Sequence, residues 1–191
     1  FEPQPQELFS GDNAPARLSL LRDKVMLLDE LGVERLVCVN FNRTFANQPA
    51  EHFIEELLVR KLGVKYLVVG DDFCFGQGRK GNFEMLVQAG IQYGFTVVST
   101  QSFMLGSQRV SSTAVREQLA KGNLEQARRL LGHPFTLSGR VAHGQKIGRT
   151  IGFPTANIAL KRNVVPVRGV FAVKCYWDNS DIYEGVANIG F

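Results

Sequence analysis

Up to Gly132 this chain alternates helix-period with strand-period segments, and at His133-Pro134 the alternation stops. Leu18, Leu21, Val25 and Leu28 recur at helical spacing across residues 16–31, with Pro15 ahead of them and Gly32 behind. Leu36-Val37-Cys38-Val39 reads as a buried strand. Residues 50–62 read as a second helix, with Phe53, Leu57 and Leu58 inward between Pro49 and Gly63. Residues 66–69 are a second strand. Asn82 caps a helix that runs to Tyr93 and stops at Gly94, and residues 95–98 are a third strand. A helix over 112–121 follows. Another is opened by Asn123, with Gln126 completing a capping box, and it ends at Gly132. Such alternation predicts an α/β fold with a parallel sheet, helices on its faces and right-handed crossovers.

Beyond Pro134 the helical period is lost. Residues 135–143, 170–177 and 183–190 read as strands, with a turn at Asp178-Asn179-Ser180-Asp181 between the last two. This predicts an all-β barrel or sandwich over residues 133–191 after an α/β domain over residues 1–132. Charge divides at the same place. Residues 1–132 hold 15 Lys+Arg and 15 Asp+Glu, whereas residues 133–191 hold 7 and 3, the whole of the +4 excess. A basic segment suits an anionic ligand such as a nucleotide phosphate, or nucleic acid, but for +4 alone a solvated surface is the preferred reading. Cys38, Cys74 and Cys175 are far apart and form no CxxC pair, which fits a reducing cytoplasm rather than a disulfide framework or a zinc site. No apolar run approaches the roughly 20 residues of a membrane span. Both ends read as cut: Phe1 opens on a Pro-rich turn, and residues 185–191 read as a strand stopped mid-run.

In open α/β sheets, ligands bind outside the carboxyl ends of the strands. Asn40 to Ala46, Gly70 to Gly76 and the approach to Ser111 fall there. In Gly70-Asp71-Asp72-Phe73-Cys74-Phe75-Gly76 two acids and two aromatics sit between glycines. Phe73 and Phe75 are either core plugs or partners for a flat ring, in about equal measure. Ser111-Ser112-Thr113-Ala114-Val115-Arg116 opens a helix, where backbone N–H groups, hydroxyls and an arginine one turn on suit a phosphate; a plain serine cap is the alternative. The loop from Gly139 to Arg149, with Gly144 and Gly148, is glycine-rich and basic and suits a triphosphate. Thr155 and Asn157, two apart, share one face of an extended segment and offer hard oxygen ligands for Mg²⁺, or they are a polar strand face. His143 lies in the basic loop, His52 on a helix and His133 at the domain joint, so no histidine pair has metal-ligand spacing.

Gly139-Arg140-Val141, followed by Gly148-Arg149-Thr150-Ile151-Gly152-Phe153-Pro154-Thr155-Ala156-Asn157, resembles the riboflavin kinase motif, and Gly185-Val186-Ala187-Asn188-Ile189-Gly190 resembles a later part of it. Phe1 to Pro5, Gly70 to Gly76 and Ser111 to Arg116 resemble the adenylyltransferase half of the bacterial bifunctional riboflavin kinase/FMN adenylyltransferase (FAD synthetase) family. The resemblance implies a Rossmann-like nucleotidyltransferase domain over 1–132, its N-terminal part missing. It implies an incomplete riboflavin kinase barrel over 133–191. It further implies that Ser112, Thr113, Arg116, Gly144, Gly148 and Arg149 bind ATP, that Asp72, Phe73 and Phe75 flank the flavin, and that Thr155 and Asn157 hold Mg²⁺. The substrates implied are ATP, riboflavin and FMN. The family's histidine motif would precede Phe1 and its kinase glutamate would follow Phe191, so no catalytic group is expected within the chain. Two other readings are a basic barrel that binds nucleic acid and an adenylyltransferase for another small substrate. The first lacks interleaved surface aromatics and cations, and the Gly-Phe-Pro-Thr-Ala-Asn segment argues against the second. The expected partners are small molecules, with neither nucleic acid nor membrane.

Overall fold

The computed structural model describes residues 1–144, 152, 155–160, 162, 164–177 and 181–190. Contacts gather these residues into two units. One is Phe1–Ala14 with Val37–Arg109; the other is Pro15–Leu36 with Val110–Phe191.

The first unit is built on a parallel pair, β1 (Tyr66–Gly70) and β2 (Thr96–Thr100), in register from Tyr66 opposite Thr96 to Gly70 opposite Thr100. Helix α5 (Phe83–Tyr93) makes the crossover between them. Asn82 Oδ1 accepts from the Met85 amide at 2.9 Å, and Gly94 stops the helix with φ of +75°. Both features were predicted from sequence, because a cap and a left-handed stop are local chemistry. Upstream, α1 (Pro5–Ser10), α3 (Arg43–Ala46) and α4 (Ala50–His52) precede a π-helical stretch, Phe53–Lys61. There the Leu62 amide reaches back five residues to the Leu57 carbonyl at 3.0 Å. The wider turn still places Phe53, Ile54 and Leu58 on one buried face, against Phe75, Leu86, Ala89 and Phe95. Rings at 5.1–6.3 Å link Phe1, Phe41, Phe45, Phe53, Phe75 and Phe73 in a continuous aromatic run. The hairpin β3 (Met104–Leu105) and β4 (Gln108–Arg109) follows β2.

The expected buried strand at Leu36-Val37-Cys38-Val39 is corrected. Leu36 and Val37 are 49% and 53% exposed, and the segment makes no ladder. A strand needs a partner along its length. The described residues supply only Glu2, whose amide donates to the Val39 carbonyl (2.9 Å) and whose carbonyl accepts from the Phe41 amide (3.1 Å).

In the second unit α6 (Ser112–Ala120) and α7 (Leu124–Leu131) pack through Val115, Leu119, Ala127 and Leu130, all buried. The capping box at Asn123 is corrected: its side chain makes no cap bond and donates instead to Gln118 Oε1 at 3.0 Å. The strand expected over 135–143 is confined to β5 (Arg140–Ala142), antiparallel to β6 (Asn157–Ala159). β7 (Gly169–Trp177) and β8 (Asp181–Ile189) form an antiparallel hairpin from Gly169 opposite Ile189 to Trp177 opposite Asp181. Residues 178–180 of the expected turn lie outside the described residues. Each described pairing is two-stranded, so the architecture is mixed α/β with one parallel pair and small antiparallel sheets. Among the described residues no helix is long and apolar enough to cross a membrane.

Helix α2 (Leu21–Glu30) begins later than its apolar spacing predicts. Asp23 Oδ2 caps it by accepting from the Leu20 amide at 2.9 Å. The carbonyls of Arg17 and Leu18 accept from Arg162 Nη1 at 2.8 and 3.3 Å. Arg162 Nη2 also meets Asp23 Oδ2 at 3.5 Å, and the Ser138 hydroxyl donates to Asp23 Oδ1. Burial lowers the pKa of the Arg162 guanidinium, with Asp23 opposing that shift and Arg17 adding to it. Its side chain is 1% exposed.

Two outcomes follow for stability. Gly90→Ala would add a Cβ 2.5 Å from the Phe95 carbonyl oxygen. In an open helix this change favours folding by about 1 kcal/mol; here denaturant titration should show a loss of about 1–3 kcal/mol. Asp23→Ala strands the Arg162 cation and should lower stability by about 3–5 kcal/mol, and Arg162→Met by less, because no charge is left buried. An Asp23→Ala protein with an unchanged denaturation midpoint would show that the pair does not hold this segment.

Candidate functional site

At the carboxyl end of β1 the chain turns sharply, with the Phe73 amide donating to the Gly70 carbonyl at 3.1 Å. Asp71 and Asp72 are exposed at this turn. Arg109 Nη2, from the end of β4, reaches Asp72 Oδ2 at 3.4 Å. In open water such a pair contributes little to stability. Phe73 is half-buried and stacks on Phe75, with centroids 5.6 Å apart and planes at 21°. Phe75 is only 7% exposed, bridges to Gly81 and packs on Phe53, so its ring belongs to the core. The Cys74 thiol donates to the Asp72 carbonyl at 3.5 Å across the exposed turn.

In the second unit, Ser111 caps α6 by accepting from the Ala114 amide at 3.2 Å. Ser112 and Thr113 are exposed at the first turn, where helical N–H groups and the positive end of the dipole concentrate. Arg116, one turn on, is half-buried. Its Nε donates to the Ala16 carbonyl at 2.7 Å, and burial lowers its pKa from the usual arginine value. It remains a cation at neutral pH.

Further along, the register of β5 and β6 sets Ala142 opposite Asn157. Two glycines lie close beside this pairing, and at Gly139 the close neighbour is backbone. A Cβ on Gly139 would lie 2.5 Å from the Ala159 carbonyl oxygen, and one on Gly144 would lie 2.1 Å from Asn157 Nδ2. The start of the basic loop is thereby laid against the Thr155-Ala156-Asn157 segment, and Thr155 and Asn157 are both exposed. The Asn157 nitrogen faces Gly144, while Oδ1 is the farther atom, 3.6 Å from the same Cβ position. Gly148, Arg149, Phe153 and Pro154 lie outside the described residues. Among the described residues no group of three His, Cys, Asp or Glu could hold a metal. Among the described residues, Thr155 offers a hydroxyl oxygen and Asn157 a carboxamide oxygen here.

Sequence reasoning missed Arg109, Arg162, Asp23 and Ser138. Arg109 stands two residues before Ser111, yet 37 positions separate it from the carboxylate that it meets. Asp23 and Arg162 are 139 apart. No local pattern announces such pairs. The late start of α2 is legible only once its cap is seen.

Comparison with known proteins gives these arrangements a context. Residues 1–114 match the family model for FAD synthetase, and residues 131–191 match that for riboflavin kinase. The bifunctional riboflavin kinase/FMN adenylyltransferase of Escherichia coli (strain K12) is 57% identical over 190 residues, covering 100% of this chain. The enzyme of that name from Haemophilus influenzae is 54% identical over 190 residues, again across 100% of this chain. The chain spans 61% and 62% of the length of these two relatives. A crystal structure described as a macrolide-efflux protein from Streptococcus pneumoniae superposes with a TM-score of 0.77 at 29% identity, covering 94% of this chain and 57% of that one. With its family model matched over residues 1–114, the chain belongs to the FAD synthetase family.

Proposed function

We propose that this chain carries the nucleotide- and flavin-handling parts of a bifunctional enzyme that phosphorylates riboflavin to FMN and adenylylates FMN to FAD. The observation that carries the reading is the Ala142–Asn157 register, which lays the start of the glycine loop beside the Thr-Ala-Asn segment within the riboflavin kinase match. We place the domain boundary at 132–134, close to residue 131 where the riboflavin kinase match begins, with residues 133–191 contributing to a kinase barrel; contacts alone group Val110 onward with the residues that follow. A reducing, cytoplasmic setting suits the three cysteines, all free.

In the kinase step the riboflavin hydroxyl attacks the γ-phosphorus of ATP, and ADP leaves. Gly144, Gly148 and Arg149 cradle the phosphates. Thr155 and Asn157 fit Mg²⁺: both are exposed and both offer hard oxygens, a hydroxyl and a carboxamide. A bound Mg²⁺ would neutralise charge on the phosphate oxygens. In the second step an FMN phosphate oxygen attacks the α-phosphorus of a second ATP, and pyrophosphate leaves. Ser112 and Thr113 donate hydroxyls at the helix N-terminus, and Arg116 donates its terminal nitrogens to the phosphates. Asp72 and Phe73 line the flavin side. Phe75 contributes by backing Phe73 from the core.

In the enzyme carrying this chain at the full length of its relatives, Thr155→Ala and Asn157→Ala should abolish FMN formation and leave FMN-to-FAD conversion largely intact. Chromatography of flavin products after incubation with riboflavin, Mg²⁺ and ATP reads both steps, and normal riboflavin phosphorylation by both variants would refute the assignment. Arg116→Ala should do the reverse, raising KM for ATP in adenylylation and sparing the kinase. Arg116→Lys should be impaired too, since an ammonium does not replace a planar fork. Equal loss of both activities in either arginine variant would mark a folding defect instead.

A further inference from the structure

We infer that Arg162 is a positioning residue for adenylyl transfer: it fixes the backbone against which Arg116 is seated. The inference rests on the reading of Arg116 as a donor to ATP phosphates. Three consecutive carbonyls, those of Ala16, Arg17 and Leu18, accept from just two arginines. Arg116 takes the first, 100 residues away, and Arg162 takes the next two, 145 and 144 away. The following turn is held as well, because Asp23 caps Leu20 and receives both Arg162 and the Ser138 hydroxyl. The path from Ala16 to Asp23 is therefore fixed by side chains, where a strand or helix would have used its own backbone.

Burial separates the roles of the two arginines. The Arg162 side chain, 1% exposed, is closed off from any ligand. Arg116 is half-buried, and its Nε bond to Ala16 fixes the plane of the guanidinium. That leaves the terminal nitrogens as a fork of known direction, the feature a phosphate reads bidentately. If the Ala16 carbonyl drifts, the fork turns with it, and small misplacements of a binding group are costly to rate. Arg162 and Ser138 fall within the riboflavin kinase match, whereas Ala16 and Asp23 fall within the FAD synthetase match. The kinase segment thus contributes a residue to the order of the adenylyl-transfer segment.

The test uses Arg162→Met in the enzyme at the length of its relatives. KM for ATP in adenylylation is expected to rise about 2- to 30-fold, the range of couplings carried through side-chain networks, with the kinase KM for ATP unchanged. In an Arg116→Ala background Arg162→Met should add nothing, because the residue that it positions is gone. Should Arg162→Met fold poorly, Arg162→Lys carries the same test, since it keeps the charge beside Asp23 but cannot span its three acceptors. Additive effects of the two arginine variants, or a fall in both activities together, would overturn the proposal. So would an unchanged adenylylation KM with only a lower melting temperature. If Arg116→Ala itself leaves adenylylation normal, the reading of Arg116 fails. If Arg116→Ala is impaired and Arg162→Met is not, this inference alone fails.

Discussion

The placement of residues 15–36 depends on one buried contact, Asp23 with Arg162. A carboxylate and a guanidinium taken from water are costly unless their remaining bonding capacity is met. Here it largely is. Asp23 takes the Leu20 amide, the Ser138 hydroxyl and Arg162, while Arg162 takes Asp23 and two carbonyls. Within this network Arg162 Nε has no partner among the described residues. A network so nearly complete tolerates few alternative arrangements, because any displacement leaves several buried groups unpaired together. It therefore decides where α2 starts and which unit the segment joins.

The first unit is held by another kind of force. Its aromatic run and the aliphatic faces of α5 and Phe53–Lys61 form a continuous apolar core. The loop after β1 shares in that core through the stacking of Phe73 on Phe75, so the loop is anchored below while its acids stay in water. An anchored loop with exposed carboxylates can present a ring and a charge in fixed relation without ordering itself on binding. Arg109 pairs with Asp72 there.

The β5–β6 pairing imposes a third constraint, steric rather than attractive. Gly139 and Gly144 approach the partner strand and Asn157 more closely than a Cβ allows. Of the glycines in the segment that a linear reading assigns to phosphate binding, Gly139 is thus required by the packing of the strands on each other. The two requirements coincide: backbone that can approach Asn157 can also approach a phosphate.

Much of this was legible in the sequence wherever the cause is local. The cap at Asn82, the stop at Gly94, the inward faces of Phe53 and Leu58 and the strands at 66–69 and 170–177 follow from neighbours within one or two turns. The motifs from Gly70, Ser111 and Gly148 likewise carried the family resemblance, because their chemistry requires particular residues at short spacing. What sequence could not decide was the fate of groups whose partners are distant. Leu36-Val37-Cys38-Val39 has the composition of a strand but finds no ladder beyond Glu2. Asn123 has the residue for a cap but bonds Gln118. Phe75 is equally suited to a ligand or to the core until Phe53 is placed against it. Propensity and spacing act over a few residues, whereas burial and ion pairing act between residues that only the folded chain brings together, and those contacts alone settled which arginine stays half-exposed and which is sealed inside.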